Sequence, residues 1–253
     1  MALYLIGAGL HDEKDITIRG MELLKNSHEI FLEGYTSLSS INLKNLEVAC
    51  GRRIRIAERE LLEQDSKMII ELAKKQNISI LVIGDPLSAT THIELLKEAE
   101  ALGVKTEVIG NASVLTAVGI TGLQLYKFGK TASIPFPDDR YTIETPYEVL
   151  RENLSIKAHT LMLLDLNPKE NRFLTANEAI MEMLKIENKR REGIFTEKTK
   201  ILVCARLGSP NFLIRSGEAG RLMKEEFGNP PHCIIVPAEL HFVEEECLRR
   251  WEK

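Results

Sequence analysis

Gly84-Asp85-Pro86-Leu87-Ser88 brings together a carboxylate, a hydroxyl and a backbone built to turn. Gly84 admits a sharp bend or a close neighbour, and Pro86 fixes φ and ends a strand ladder. Five of the six residues before it, Ile78 to Ile83, are apolar. Such a run reads as a strand buried on both faces, with Asp85 just past its carboxyl end. Open parallel sheets bind ligands at that edge. Gly7-Ala8-Gly9-Leu10 follows a second apolar run, Leu3 to Ile6, and again brings bare backbone to a strand end. It does not complete G-x-G-x-x-G, because the last position is Asp12, so a dinucleotide fingerprint is weak. His11 to Asp15, HDEKD, is an acidic loop. It suits a cationic ligand, or its acids are the charges that a helix N-terminus favours.

Ser88 and Ser113 lack a G-x-S-x-G elbow, so nucleophilic catalysis has no support. His241 and Glu245 stand at i, i+4. That is the spacing of a metal pair, or of a surface helix with acids in its first turn. His232 follows Pro230-Pro231 and either hydrogen-bonds a ligand or caps a strand edge. Leu10, Asp85 to Ser88, Ser113, Leu166, Leu207 and His232 all fall at expected strand ends, and only Asp85 carries a charge. A pocket made from them binds by shape and backbone hydrogen bonds. With no Lys or Arg clamp, it is a poor site for a nucleoside triphosphate.

Short apolar strands and capped helices must position these residues. In the first half the strands are Leu3 to Ile6, Glu29 to Gly34, Arg53 to Ile56, Ile78 to Ile83 and Val104 to Ile109. Helices are expected over Ile16 to Asn26, Leu61 to Lys75 and Ile93 to Leu102, the last opened by a Thr91/Glu94 capping box. Tyr35 to Ser40 is a hydroxyl-rich loop. Arg52, Arg53, Arg55 and Arg59 either dock an acidic partner or guard a solvated edge. The order predicts a mainly parallel sheet with helices on both faces. Gly110 to Ser113 is a polar joint, which sets two α/β domains at 1–110 and 111–253. After it, Ala117, Gly119, Thr121 and Gly122 let a helix pack closely. The second half should hold strands Thr131 to Phe136, His159 to Leu166, Lys200 to Leu207 and His232 to Pro237. Thr145/Glu148 and Thr175/Glu178 open two helices, Gly217 to Phe227 reads as helical, and His241 to Trp251 closes the chain.

With 253 residues, 44% hydrophobic and 28% charged, the chain has the composition of an ordered globular protein. A net charge of −4 argues against general nucleic-acid binding. No apolar run approaches the roughly 20 residues of a membrane span. MALYLIGAGL lacks a basic n-region and reads as a strand, not a signal peptide. Cys50, Cys204, Cys233 and Cys247 form no C-x-x-C pair, and Cys204 and Cys233 read as buried inert thiols. A reduced, cytoplasmic setting is expected.

Several stretches together resemble one family. They are LYLIGAGLHDEKDITIRG, GDPLSATTH, AVGITGLQLYKFGKTASIPFP, LTANEAIMEMLKIE and PPHCIIVPAELHFVEEE, in order along nearly the whole chain. GDP alone is weakly specific; GDPLSATTH and GITGLQLYKFGK are highly so. The chain resembles the diphthine synthases and, through them, the class III tetrapyrrole-methylase-like methyltransferases. The resemblance implies two α/β domains with the cofactor cleft between them. It implies S-adenosylmethionine as methyl donor, a homodimer, and translation elongation factor 2 as protein substrate. The acceptor would be a histidine carrying a 3-amino-3-carboxypropyl group, and likeness to the archaeal branch implies trimethylation of its nitrogen. Carried over by motif, the donor-binding positions are Leu10, Asp85, Ser88, Ser113, Val114, Leu166, Leu207 and His232. No catalytic base and no metal are implied. The alternative is a class III methylase of a corrinoid or other tetrapyrrole. Against it stands GAGLHDE, where those enzymes carry G-x-G-x-G-D. A non-catalytic module binding translation factors is the third reading.

Overall fold

The computed structural model describes residues 1–252 except 36, 37, 39, 139 and 141, so the hydroxyl-rich loop at 35–40 lies partly outside the described residues. The chain forms two compact units, Met1–Val114 and Leu115–Lys253. Among the described residues no helix is long and apolar enough to cross a membrane.

The first unit holds strands β1 (Ala2–Gly7), β2 (Glu29–Glu33), β3 (Ile54–Ala57), β4 (Ile78–Val82) and β5 (Lys105–Ile109). They pair in the order β3-β2-β4-β1-β5, all parallel. Every residue of β4 is buried, including Ser79, whose hydroxyl bonds that of Ser27. Alternation sorts the side chains: Leu3, Leu5, Phe31, Ile78, Ile80 and Val82 join one core, while Ile6, Ile30, Leu32 and Leu81 join the other. Helices α4 (Ser66–Ala73) and α5 (Ile93–Ala101) cover the first face with Ile69, Ile70, Leu95 and Leu96. Helices α1 (Ile18–Asn26) and α2 (Leu43–Cys50) cover the second with Leu24 and Leu46.

Local chemistry moves some boundaries from their expected places. α1 starts at Ile18 because Thr17 caps it, accepting from Gly20 N–H. α2 had no expected counterpart; Asn42 caps it and Gly51, at φ 67°, ends it. The single helix expected over Leu61 to Lys75 is two, α3 (Arg59–Glu63) and α4. The break falls at Asp65-Ser66, where the Ser66 hydroxyl bonds Glu98 of α5 at 2.5 Å. The Thr91/Glu94 box does not form: His92 is the N-cap residue of α5, and its side chain makes no cap bond.

The boundary falls at the first residue of α6 (Val114–Ala117), and two short 3-10 turns follow, where a longer helix was expected. Gly122, at φ 95°, explains the stop: a Cβ there would collide with Cys247. The sheet contains β6 (Ala132–Ile134), β7 (Thr160–Leu164), β10 (Lys200–Ala205), β11 (Leu213–Glu218) and β12 (His232–Val236). Their order is β11-β10-β12-β7-β6, antiparallel except for β6·β7. A hairpin pairs β8 (Leu166–Asn167) with β9 (Arg172–Phe173). Helices α7 (Thr145–Ser155) and α8 (Ala176–Arg190) pack Tyr147, Leu150, Ile180 and Met183 against Met162, Val203 and Ile234. The Thr175/Glu178 capping box forms as expected. The helix expected from Gly217 to Phe227 is largely absent: Gly217 lies within β11, and only α9 (Ala219–Leu222) is helical. Ile214 and Ser216 alternate inward there, a period-two signal hidden in FLIRSGE. Helix α10 (Phe242–Leu248) closes the unit.

Candidate functional site

The edge formed by the carboxyl ends of β5, β1 and β4 is tied together by backbone and carboxylate. Gly9 and Gly84 exchange two backbone hydrogen bonds, 3.2 and 2.7 Å. Both take positive φ, 78° and 80°, so glycine is needed to form the clasp. Asp85 then holds two loops at once. Its Oδ1 accepts from Leu87 N–H at 3.0 Å and from the Ser88 hydroxyl at 3.1 Å. Its Oδ2 accepts from Asn111 N–H at 3.0 Å. Asn111 donates in turn through Nδ2 to the carbonyls of Gly7 and Asp15, each at 2.9 Å. Leu10, Asp85, Ser88, Ser113 and Val114 therefore lie on three neighbouring loops of one sheet edge.

Gly84 has room on its Cα in that edge. A Cβ placed on it would stand 3.8 Å from the Ala112 carbonyl and 4.0 Å from the Leu10 methyl Cδ2, with nothing nearer. The atoms it would meet are a backbone carbonyl and an aliphatic methyl. The acidic loop beside it serves the chain itself. Asp15 accepts from Leu10 and His11 N–H, and Asp12 from Lys14 N–H. Glu13 accepts from Asn42 N–H and Asn45 Nδ2. Backbone hydrogen bonds first, then Asn45, hold Glu13 below the ordinary carboxylate range. These acids are local caps and ties.

In the second unit Leu166, Leu207 and His232 also meet at one sheet edge. β12 runs antiparallel to both β10 and β7, so its start adjoins their ends: Ala205 pairs with His232, and Cys233 with Leu163. Leu166 N–H donates to Asp165 Oδ1 at 3.0 Å, and Leu207 is buried. The His232 ring is committed to the fold. Nδ1 accepts from Ala176 N–H at 3.3 Å, and Nε2 donates toward the Gly228 and Asn229 carbonyls at 3.1 and 3.2 Å. Burial keeps it neutral by pushing its pKa down, against the raising effect of those carbonyls. Of the two readings left open, the ring caps, and what His232 can offer a ligand is its backbone.

Arg206, which the sequence did not single out, organises this edge. Its guanidinium donates to the carbonyls of Asn211, Phe227 and Asn229, and its own N–H to Pro231. None of these partners is near enough in sequence to leave a signal. Asn111 was read as part of the polar joint at Gly110 to Ser113; its loop-tying role depends on contacts with residues 7 and 15. His241 is a cap as well, accepting at Nδ1 from Val243 N–H at 3.4 Å, which settles the His241/Glu245 spacing as a helix start. Cys204 and Cys233 face each other across β10 and β12 as buried free thiols. Their mutual hydrogen bond and burial push the Cys204 thiol up, so it is inert.

A parallel-sheet unit with Gly-Asp-Pro just past its central strand, followed by a mixed-sheet unit, matches a known class. The family model of Tetrapyrrole (Corrin/Porphyrin) Methylases matches residues 2–222. The diphthine synthase of Methanocaldococcus jannaschii is 44% identical over 250 residues, covering 98% of this chain and 97% of the relative. An Arabidopsis thaliana protein described as "Probable diphthine methyl ester synthase" is 42% identical over 267 residues, covering 97% of this chain and 96% of its own. A crystal structure of a diphthine synthase superposes with TM-score 0.91 at 37% identity, covering 100% of this chain and 96% of that one. The chain belongs to the tetrapyrrole methylase family, in its diphthine synthase branch, and is a methyltransferase.

Proposed function

We propose that this enzyme methylates the amino group of the 3-amino-3-carboxypropyl histidine of translation elongation factor 2, three times, to give diphthine in diphthamide biosynthesis. The observation that carries this reading is the 44% identity to a diphthine synthase over 98% of the chain. S-adenosylmethionine is the methyl donor in this reading. Leu10, Asp85, Ser88, Ser113 and Val114 of the first unit, with Leu166, Leu207 and His232 of the second, are its binding residues. These residues suit an adenosyl sulfonium better than a polyphosphate, since no Lys or Arg stands among them.

When bound, the donor supplies a methyl group on an already activated sulfonium. The chain's own task is alignment and the exclusion of water. Asp85 holds the two loops in one arrangement before any ligand arrives, which lowers the ordering cost of binding. Leu10, Leu166 and Leu207 bring apolar surface, and backbone groups at His232 and Ser113 provide directional contacts. An α-amino acceptor has an ordinary pKa of about 7.7 to 8.0, so a useful fraction is unprotonated at neutral pH. The family likeness also supports a homodimer acting in the cytoplasm.

The test incubates the purified enzyme, S-adenosylmethionine and elongation factor carrying the unmethylated side chain, followed by mass spectrometry of the modified peptide. Three alkali-stable methyl groups are expected; none transferred would refute the assignment. A second reading, an added methyl ester on the carboxylate, is favoured by the likeness to the plant relative. It predicts a further methyl group that mild alkali removes.

A further inference from the structure

His92 is 3% exposed and closes the stretch that begins at Asp85. Its Nδ1 stands 2.8 Å from the Thr90 hydroxyl and 3.3 Å from the Pro86 carbonyl oxygen. Its Nε2 has no hydrogen-bond partner among the described residues and faces Glu33 Oε2 at 3.7 Å. Glu33 is fully buried at the carboxyl end of β2, the neighbour of β4, so it backs the ring from the same sheet edge. One imidazole nitrogen thus grips both ends of the segment Pro86 to Thr90.

Inside that segment Ala89 has φ 56°. An L residue holds this left-handed conformation only where its surroundings impose it. Asp85 ties the near side of the turn through Leu87 and Ser88. Thr90 and Pro86, held by His92, tie the far side. An imidazole buried merely as filler would leave polar atoms desolvated at a cost. Here the ring's hydrogen bonding is concentrated on this segment: Nδ1 reaches a carbonyl and a hydroxyl, while Nε2 makes no hydrogen bond among the described residues. His92 is the N-cap residue of α5, which starts at Ile93, and its ring makes no cap bond but is turned to this segment instead.

We propose that His92 is a positioning residue for the donor loop, holding Ala89 in its left-handed conformation so that Leu87 and Ser88 stand ready to contact the methyl donor. The role rests on the reading of the Asp85–Ser88 loop as part of the donor site. His92→Phe keeps the ring and removes both nitrogens. By calorimetry its Kd for S-adenosylmethionine should rise about tenfold or more, with kcat at saturating donor changed far less. His92→Asn, which returns a polar atom near the Nδ1 position, should recover most of that loss. Adding Ala89→Gly to His92→Phe should recover about fivefold, because glycine adopts positive φ without strain. A residue that only filled space would show no such glycine rescue.

Thr90→Val cuts the same bond from the half-buried side and should cost about threefold. It keeps the test decisive should His92→Phe not fold. A folded His92→Phe, or failing that Thr90→Val, whose donor Kd equals that of the wild type overturns the proposal. If the wild type binds no S-adenosylmethionine, the donor reading fails instead. Amide exchange of Leu87 and Ser88 in the ligand-free protein then judges His92 separately. Faster exchange in His92→Phe supports the positioning role, and unchanged exchange sinks it.

Discussion

Asp85 changes meaning between its sequence and its surroundings. As an isolated carboxylate past a strand it reads as a group that touches a ligand. In the fold both its oxygens are engaged by Leu87, Ser88 and Asn111, and it is only half-buried. Asp85→Ala therefore frees two loops without opening a core. Loss of such charge-assisted bonds is worth about 2 kcal/mol, so donor Kd should rise by about thirtyfold. The melting temperature should move little, since water can reach the released N–H groups. Calorimetry with unchanged donor affinity would remove Asp85 from the site. His232 shows the same displacement of role: its ring is the cap, and its backbone is what remains for a partner.

At the scale of elements, α10 is fastened to the start of β7 through one buried carboxylate. Glu244 accepts from Gln124 N–H, His241 N–H, Lys127 Nζ and His159 Nε2, while His159 Nδ1 accepts from Ala238 N–H. Burial alone would raise the Glu244 pKa, but these donors outweigh it and hold it at about 2. Burial pushes His159 down from its ordinary value, and Glu244 only partly offsets that. Both shifts act in one direction. Glu244 contributes stability that is complete above its ordinary 4.5 and is lost as pH falls toward about 2. His159 is neutral in the fold, so the unfolded chain takes up its proton first as pH drops through 6.5. Urea denaturation should show stability declining in both windows, never rising, on acidification. Glu244→Gln should cost about 3 kcal/mol at neutral pH, because Lys127 is left beside a neutral amide, and should flatten the lower window. A wild-type acid limb retained in that variant would place the titration elsewhere.

For the whole molecule, the relevant quantity is linkage between donor and fold. A ligand that binds only the native chain at about 100 times its Kd stabilises it by about 2.7 kcal/mol. For a chain of this size that corresponds to a rise of about 5–10 °C in melting temperature. S-adenosylmethionine should produce it, and Asp85→Ala, with its about thirtyfold weaker Kd, should show only about a third of it at the same donor concentration. No shift in the wild type would speak against donor binding. The two sheets differ in kind, parallel in the first unit and mainly antiparallel in the second, yet each gathers its candidate residues at one edge.

Periodicity and punctuation determined the strands of the first unit, though not α2 or the break before α4. β1 and β4 are short apolar runs closed by Gly, and burial on both faces leaves little choice of register. The same runs located the edge where Leu10, Asp85 and Ser113 lie. Capping boxes were legible where the side chains are exposed and local, as at Thr175/Glu178, and misleading at Thr91/Glu94, where His92 turns inward toward Glu33. β11 was missed because Gly217 looks like a helix start until Leu213–Glu218 pairs with β10. Only the tertiary structure decided what Asp85, Asn111, Arg206, His92 and His232 do. Their partners are carbonyls, N–H groups and carboxylates brought near by chain reversal, and such contacts leave no pattern along the sequence.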